Sequence, residues 1–200
     1  ISMSVVAMLY NLQLMKYAGE NGIAAYGVMM YVSMIFSAVF IGYSIGTAPV
    51  VGFHDGAQNH QELHGLLHKS LVLIGTFGIG MIVAAELLAH PLAKMFVGYD
   101  IELMELTVSG FRIFGLSFGF MGFAIFASGF FTALNDGITS AIISFLRTLV
   151  FQAASVILLP MALDVDGLWW AASAAEALAF VVSIGFLLAM KGKYHYFDKT

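Results

Sequence analysis

Few residues of this sequence could do chemistry, and the foremost is Glu176, set in the apolar run Trp169-Trp170-Ala171-Ala172-Ser173-Ala174-Ala175-Glu176-Ala177-Leu178-Ala179-Phe180. An ionisable side chain at membrane depth costs about 2.5–3.5 kcal/mol or more on insertion scales, so it is a functional candidate by default. If Trp170 marks an interface, Glu176 lies about 9 Å deeper along a helix, and a carboxyl there suits a protonatable, cation-coupled switch. Ser173 and Ser183 fall within about 80° of it on a helical wheel, giving it a polar face to share. Asn11 aligns at helical spacing with Ser4, Met8 and Met15. Tyr26, Ser33, Ser37 and Ser44 fall within about 40° of one another. A narrow polar stripe on an apolar helix faces protein or water, as a cavity wall or as ordinary hydrogen bonding between helices.

The other candidates are weaker. Arg147 and Gln152 interrupt a later apolar run, and Arg147 is shallow enough to snorkel to an interface as an anchor. Glu86, four residues before His90, reads as an interfacial group. His60, His64 and His68 repeat at a one-face spacing, but no carboxylate completes a metal site, so they read as solvated; no metal site is expected. Gly115-Leu116-Ser117-Phe118-Gly119 spells the pattern of a nucleophile elbow, but that turn joins a strand to a helix and this copy sits inside an apolar helix with no histidine nearby to act as base. With no cysteine, thiolate catalysis and disulfides are also excluded, and no enzyme activity is expected. Eight Lys plus Arg, scattered in a chain of net charge −4, make no phosphate-binding patch and argue against nucleic acid as a partner.

The elements that must position these groups follow from composition. The 200 residues are 60% hydrophobic and 10% charged, with 21 Gly and 18 Phe, which describes a polytopic membrane protein with the bilayer as solvent. Long runs that are apolar all round exclude the alternation of a membrane barrel, so the fold class is all-α. A membrane helix needs about 20 apolar residues, and six runs qualify in a single lobe over 1–200: about 1–16, 23–50, 66–90, 108–134, 138–162 and 167–190. The polar stretches between them read as loops. Lys69, Lys191, Lys193 and Lys199 fall on one side of the membrane and Lys16, Lys94 and Arg112 on the other, a bias that favours a cytoplasmic C-terminal tail. Residues 23–53 as one helix would extend about 46 Å against a hydrocarbon core of about 30 Å, so a bend is expected where Gly42, Gly46 and Pro49 cluster. The chain opens on Ile1 within an apolar run, without signal-peptide features, which reads as a fragment of a longer polypeptide. Abundant Met and Phe would suit a permissive cavity for hydrophobic ligands.

The second run, Gly42-Tyr43-Ser44-Ile45-Gly46-Thr47-Ala48-Pro49-Val50-Val51-Gly52, followed by Gly56-Ala57, resembles the multidrug and toxic compound extrusion (MATE) transporters in their second half. So do Phe130-Phe131-Thr132-Ala133-Leu134-Asn135-Asp136-Gly137, then Leu146-Arg147, Pro160 and Gly167-Leu168-Trp169. The resemblance covers nearly the whole chain through the order and spacing of individually weak motifs. It implies the C-terminal six-helix lobe of a pseudo-two-fold, twelve-helix antiporter of the plasma (cell inner) membrane, with an N-terminal lobe as partner. It also implies export of organic cations or amphipathic drugs in exchange for Na⁺ or H⁺, with no other cofactor. Family members with a cation site in this lobe carry acids in its first and fourth spans, whereas Asn11 stands at the first position here and span 4 has none. The resemblance therefore implies a coupling acid in the other lobe or a role for Glu176. A lipid-linked-oligosaccharide flippase of the same superfamily, a half-size homodimer and a non-transporting scaffold subunit are the alternatives.

Overall fold

The computed structural model describes residues 2–196; Ile1, where the first expected span starts, and Lys199, used in the charge count, lie outside them. Helices run over Ser2–Gly56, His60–Val97, Ile101–Gly115, Phe118–Ala133, Gly137–Phe145, Gln152–Leu158, Pro160–Ala189 and Lys191–Tyr194, with a π-helical turn at Leu146–Phe151, and there is no strand among the described residues. Four helical stretches are long and apolar enough to cross a membrane, or five when Ile101–Gly115 and Phe118–Ala133, bent by 45° at their junction, count as one.

The longest helix is two helices. Within Ser2–Gly56, Gly19 has φ 61 and ψ −154, a conformation open almost only to glycine. The rings of Tyr10 and Tyr26 stack 4.6 Å apart, whereas sixteen residues of continuous helix would separate them by about 24 Å. The chain therefore doubles back at Gly19, making span 1 (2–18) and span 2 (20–56) an antiparallel pair joined by one residue. Span 3 is His60–Val97 and span 4 is the bent pair. Span 5 runs from Gly137 through its π turn to Leu163: Leu159 is helical and its carbonyl accepts from the Leu163 N–H at 2.9 Å, while Pro160, lacking an N–H, interrupts the ladder without ending it. Asp164 (φ 48, ψ −130) then reverses the chain, and Gly167 comes back against the Leu159 carbonyl to begin span 6 (165–189).

Polar did not mean loop in this chain. The stretches Lys16–Gly22, His54–His64 and Lys94–Glu105 are mostly helical, because helices project beyond the hydrocarbon and are capped there, Asn59 accepting from the Glu62 N–H and Asp100 from the Leu103 N–H. The Gly42–Pro49 run, where a bend is expected, does not break the helix. All residues from 20 to 56 keep helical dihedrals through Gly42, Gly46 and Pro49, and the backbone break lies at Gly19 instead. A proline's fixed φ suits a helix, and the Thr47 hydroxyl occupies the Tyr43 and Ser44 carbonyls in the same turn. Gly42 and Gly46 face open space, so that GxxxG does not pack inside this lobe.

Span 4 is the axis of the lobe, packed against spans 2, 3, 5 and 6. Lipid is as apolar as Leu, so close van der Waals contact rather than water exclusion holds such helices together. A Cβ on Gly78 of span 3 would meet the Gly119 carbonyl oxygen at 3.0 Å, which lets the two backbones touch. Phe114, Phe118, Phe126, Phe130 and Phe131 fill the remainder of the interior. Trp169 joins them: it is fully buried, with its indole against Gly110, while Trp170, read as an interface marker, is 41% exposed.

Candidate functional site

Five of the six spans converge on a cavity of about 180 Å³. Span 1 contributes Met3 and Tyr10, span 2 Tyr26, Met30 and Ser33, and span 4 Phe114, Ser117 and Met121, on either side of its bend. Span 5 contributes Arg147, Thr148 and Gln152, and span 6 contributes Glu176. The hairpin at Gly19 brings the two tyrosines together, and the Tyr10 hydroxyl then donates to Gln152 Oε1 at 3.0 Å, tying spans 1 and 5. Arg147 and Thr148 stand in the π turn, whose extra residue shifts the register of side chains; such turns recur at functional sites.

The centre of the cavity wall is an ion pair. Arg147 Nε donates to Glu176 Oε2 at 2.9 Å, with side-chain exposures of 19% and 6%. Arg147 is thus not the snorkelling anchor expected of it, because a buried carboxylate on the next span is a nearer partner than the interface. Neither side chain makes a second hydrogen bond to the described residues. Ser173 donates to the Ile113 carbonyl at 2.8 Å, fixing span 6 to span 4 just before its bend, and Ser183 turns back to Ala179. Ser117, in the bend itself, is 1% exposed, lines the cavity and has no hydrogen-bond partner for its hydroxyl.

The sequence-derived candidates separate in space. Tyr26, Ser33 and Glu176 come together at the cavity. Asn11 is exposed and does not line it; its neighbour Tyr10 does, about 100° around the same helix. Ser37 donates to the Met34 carbonyl of its own turn, and Ser44 is buried against Gly129 of span 4. A stripe from Tyr26 to Ser44 is about 27 Å long and outruns a cavity of this size, so one face of span 2 meets several surroundings. Sequence reasoning missed Tyr10 and Ser117 as lining groups and separated Arg147 from Glu176. Two opposite charges in consecutive apolar runs were the one signal for that pair, and the sequence does not show the π turn that sets their register.

A second polar cluster closes one end of the bundle. Asp136, which caps span 5 through the Thr139 N–H, also accepts from the Tyr194 hydroxyl at 2.8 Å and from Lys193 Nζ at 3.2 Å. Burial pushes the Asp136 carboxyl up, but the bonds from Thr139, Tyr194 and Lys193 outweigh it and hold the carboxyl down at about 2. Tyr196 is fully buried, donating to the Leu187 carbonyl at 2.7 Å, and its own carbonyl lies 2.9 Å from His64 Nδ1. His60 lies beside His195 with ring centroids 5.4 Å apart. Among the described residues no group of three or more His, Cys, Asp or Glu is placed to hold a metal ion. Glu86 pairs with Arg112 at 2.9 Å between spans 3 and 4, half exposed, a setting in which an ion pair contributes about 0–1 kcal/mol.

The family model MatE matches residues 1–158. No curated protein sequence matches. Among solved structures, the chain is similar to an outward-facing multidrug resistance MATE family transporter of the MOP superfamily, with a TM-score of 0.85 and 21% identity over 96% of this chain and 44% of that one. An inward-facing conformation of such a transporter gives 0.83 and 21%, covering 96% and 45%. A Vibrio cholerae MATE transporter in a bent form gives 0.87 and 18%, covering 98% and 44%. The chain thus spans less than half the length of the solved transporters it matches.

Proposed function

The chain belongs to the MatE family of membrane transporters, and from that premise we propose that it is one six-helix lobe of a secondary multidrug exporter. In this reading the lobe faces an N-terminal lobe of the same protein across a central path. The assembly exports organic cations or amphipathic drugs in exchange for Na⁺ or H⁺ by alternating access, in the plasma membrane, with the C-terminal tail cytoplasmic. The observation that carries the proposal is the cavity at the bend of span 4. Its lining combines thioethers and stacked rings, which adapt to many apolar shapes, with a few polar groups that orient a ligand. Its volume of about 180 Å³ is below the roughly 300–1,000 Å³ of a full drug site, as expected of a site completed by a second lobe. The similar fit to outward- and inward-facing relatives supports a lobe that moves as a unit.

Coupling needs a group that binds the ion differently in the two states. Glu176 is bonded to Arg147, which weakens the case for it as a lone exchange site and favours a coupling acid in the other lobe. The same pair argues against the flippase reading. A pyrophosphate path needs surplus positive charge, and the one Arg lining this cavity is neutralised by the one acid lining it. The test is accumulation of a fluorescent organic cation in cells expressing the full-length protein, with and without an ionophore. Gradient-dependent exclusion supports the proposal; no exclusion, with the protein present in the membrane, overturns it.

A further inference from the structure

We propose that the Arg147–Glu176 pair makes the cavity a receptor for zwitterionic amphiphiles, in which Arg147 takes an anionic group and Glu176 an ammonium group of one ligand. The proposal rests on the reading of this cavity as a substrate site. A fork-on-fork contact would satisfy both partners of an Arg–carboxylate pair with each other. Here the contact is single, Nε to Oε2 at 2.9 Å, and no other atom of either charged group bonds to the described residues. The two Nη groups and Oε1 thus remain available on side chains that both line the cavity. In a cavity at membrane depth the local dielectric is lower than in water, so a ligand group that bonds these atoms gains more than the same contact gains in water.

Net charge selects the class. The pair is neutral as it stands, so a simple cation engages only one partner and adds its own charge to a cavity at membrane depth, where the effective dielectric is low; organic cations bind there, but more weakly than a ligand of both signs. A ligand carrying both signs on a short spacer satisfies the guanidinium edge and the carboxylate oxygen together and leaves the cavity neutral. The rest of the lining fits the rest of such a molecule. The buried, unpartnered Ser117 hydroxyl offers one neutral hydrogen bond beside the ionic groups. Tyr26 lines the cavity with Met30 and Met121, which accept an apolar body.

The experiment compares phenylalanine betaine with its methyl ester, a matched pair in which only the carboxylate differs, by calorimetric titration of the purified full-length transporter. Betaine is expected to bind about tenfold tighter, the scale of one charge-assisted hydrogen bond. The double variant Arg147→Gln/Glu176→Gln keeps a hydrogen-bonded neutral pair and leaves no unpaired charge in the fold; it should weaken both compounds and bring them to equal affinity, erasing the preference. Arg147→Lys should keep a reduced preference. Equal or tighter binding of the ester, a preference that survives in the double variant, or no binding of either compound overturns the proposal. The dye-export assay on the same protein separates the two readings. Export without a betaine preference removes only this inference, and a betaine preference without export removes only the multidrug-export reading.

Discussion

Replacing Arg147 by Gln is expected to be the most damaging polar substitution in the lobe. It leaves Glu176, whose side chain is 6% exposed, without its partner. Removing one member of a buried pair costs about 3–5 kcal/mol; with Arg147 itself 19% exposed, the lower end, about 3 kcal/mol, is the expected cost. For a unit of this size 1 kcal/mol moves the midpoint by roughly 2–4 °C, so the apparent Tm should fall by roughly 6–12 °C. Glu176→Gln should cost less, because a neutral amide still accepts from the guanidinium while Arg147 can reach the solvent side of the cavity. The double variant should recover most of the loss, since a neutral pair carries no desolvation penalty. The assay is intrinsic tryptophan fluorescence during heating of the purified full-length protein at a fixed scan rate, which holds kinetic effects constant. The buried Trp169 gives the signal within this lobe. A loss under about 1 °C for Arg147→Gln, or a double variant as unstable as the two single losses combined, would refute the reasoning.

Three further outcomes follow from particular residues. Gly19→Val places a β-branched side chain at φ 61, ψ −154, and should lower folded yield by a cost of order 1–3 kcal/mol, read from the monodisperse fraction by size exclusion; an unchanged fraction contradicts the hairpin. Asp164→Gly relieves a non-glycine residue at φ 48 and should raise the apparent Tm by the equivalent of about 1 kcal/mol, with no change or a fall counting against a reversal there. Asp136, held at about 2 against an ordinary 3.8, contributes stability that is whole above pH about 4 and lost as pH falls through about 2, worth about 2 kcal/mol. Asp136→Asn should remove that acid-dependent loss from a pH series of melting curves, whereas an unaltered series would dissociate the tail from Asp136.

What the sequence made legible was decided by how much physics was local. Helical class and the apolar spans follow from hydrophobicity summed over about 20 residues, and the family from ordered motifs along the chain. The turns were harder. The reversals at Gly19 and Asp164 take one residue each, and nothing in Lys16–Gly22 distinguishes a one-residue turn from a loop. Pro49 and its glycines are helix-weakening by type, yet the helix continues because φ of a proline is already helical. Glu176 was visible as a rare buried acid. Its pairing with Arg147 was not, since the π turn at Leu146–Phe151 alters the register on which a helical wheel depends. Asn11 was preferred to Tyr10 because an amide is the more polar group, whereas the direction each points was fixed by the hairpin that stacks Tyr10 on Tyr26.

The central claim, that this cavity lies on the path of the substrate, is tested most directly by thiol labelling, because the chain has no cysteine of its own. Ser33→Cys places a thiol in the lining and Asn11→Cys places one outside it, in a full-length transporter whose other cysteines have been replaced and whose export is retained. A transported organic cation should slow labelling at 33 by a membrane-permeant thiol reagent and leave labelling at 11 unchanged. Equal protection at both positions, or none at 33 while export proceeds, would contradict the account.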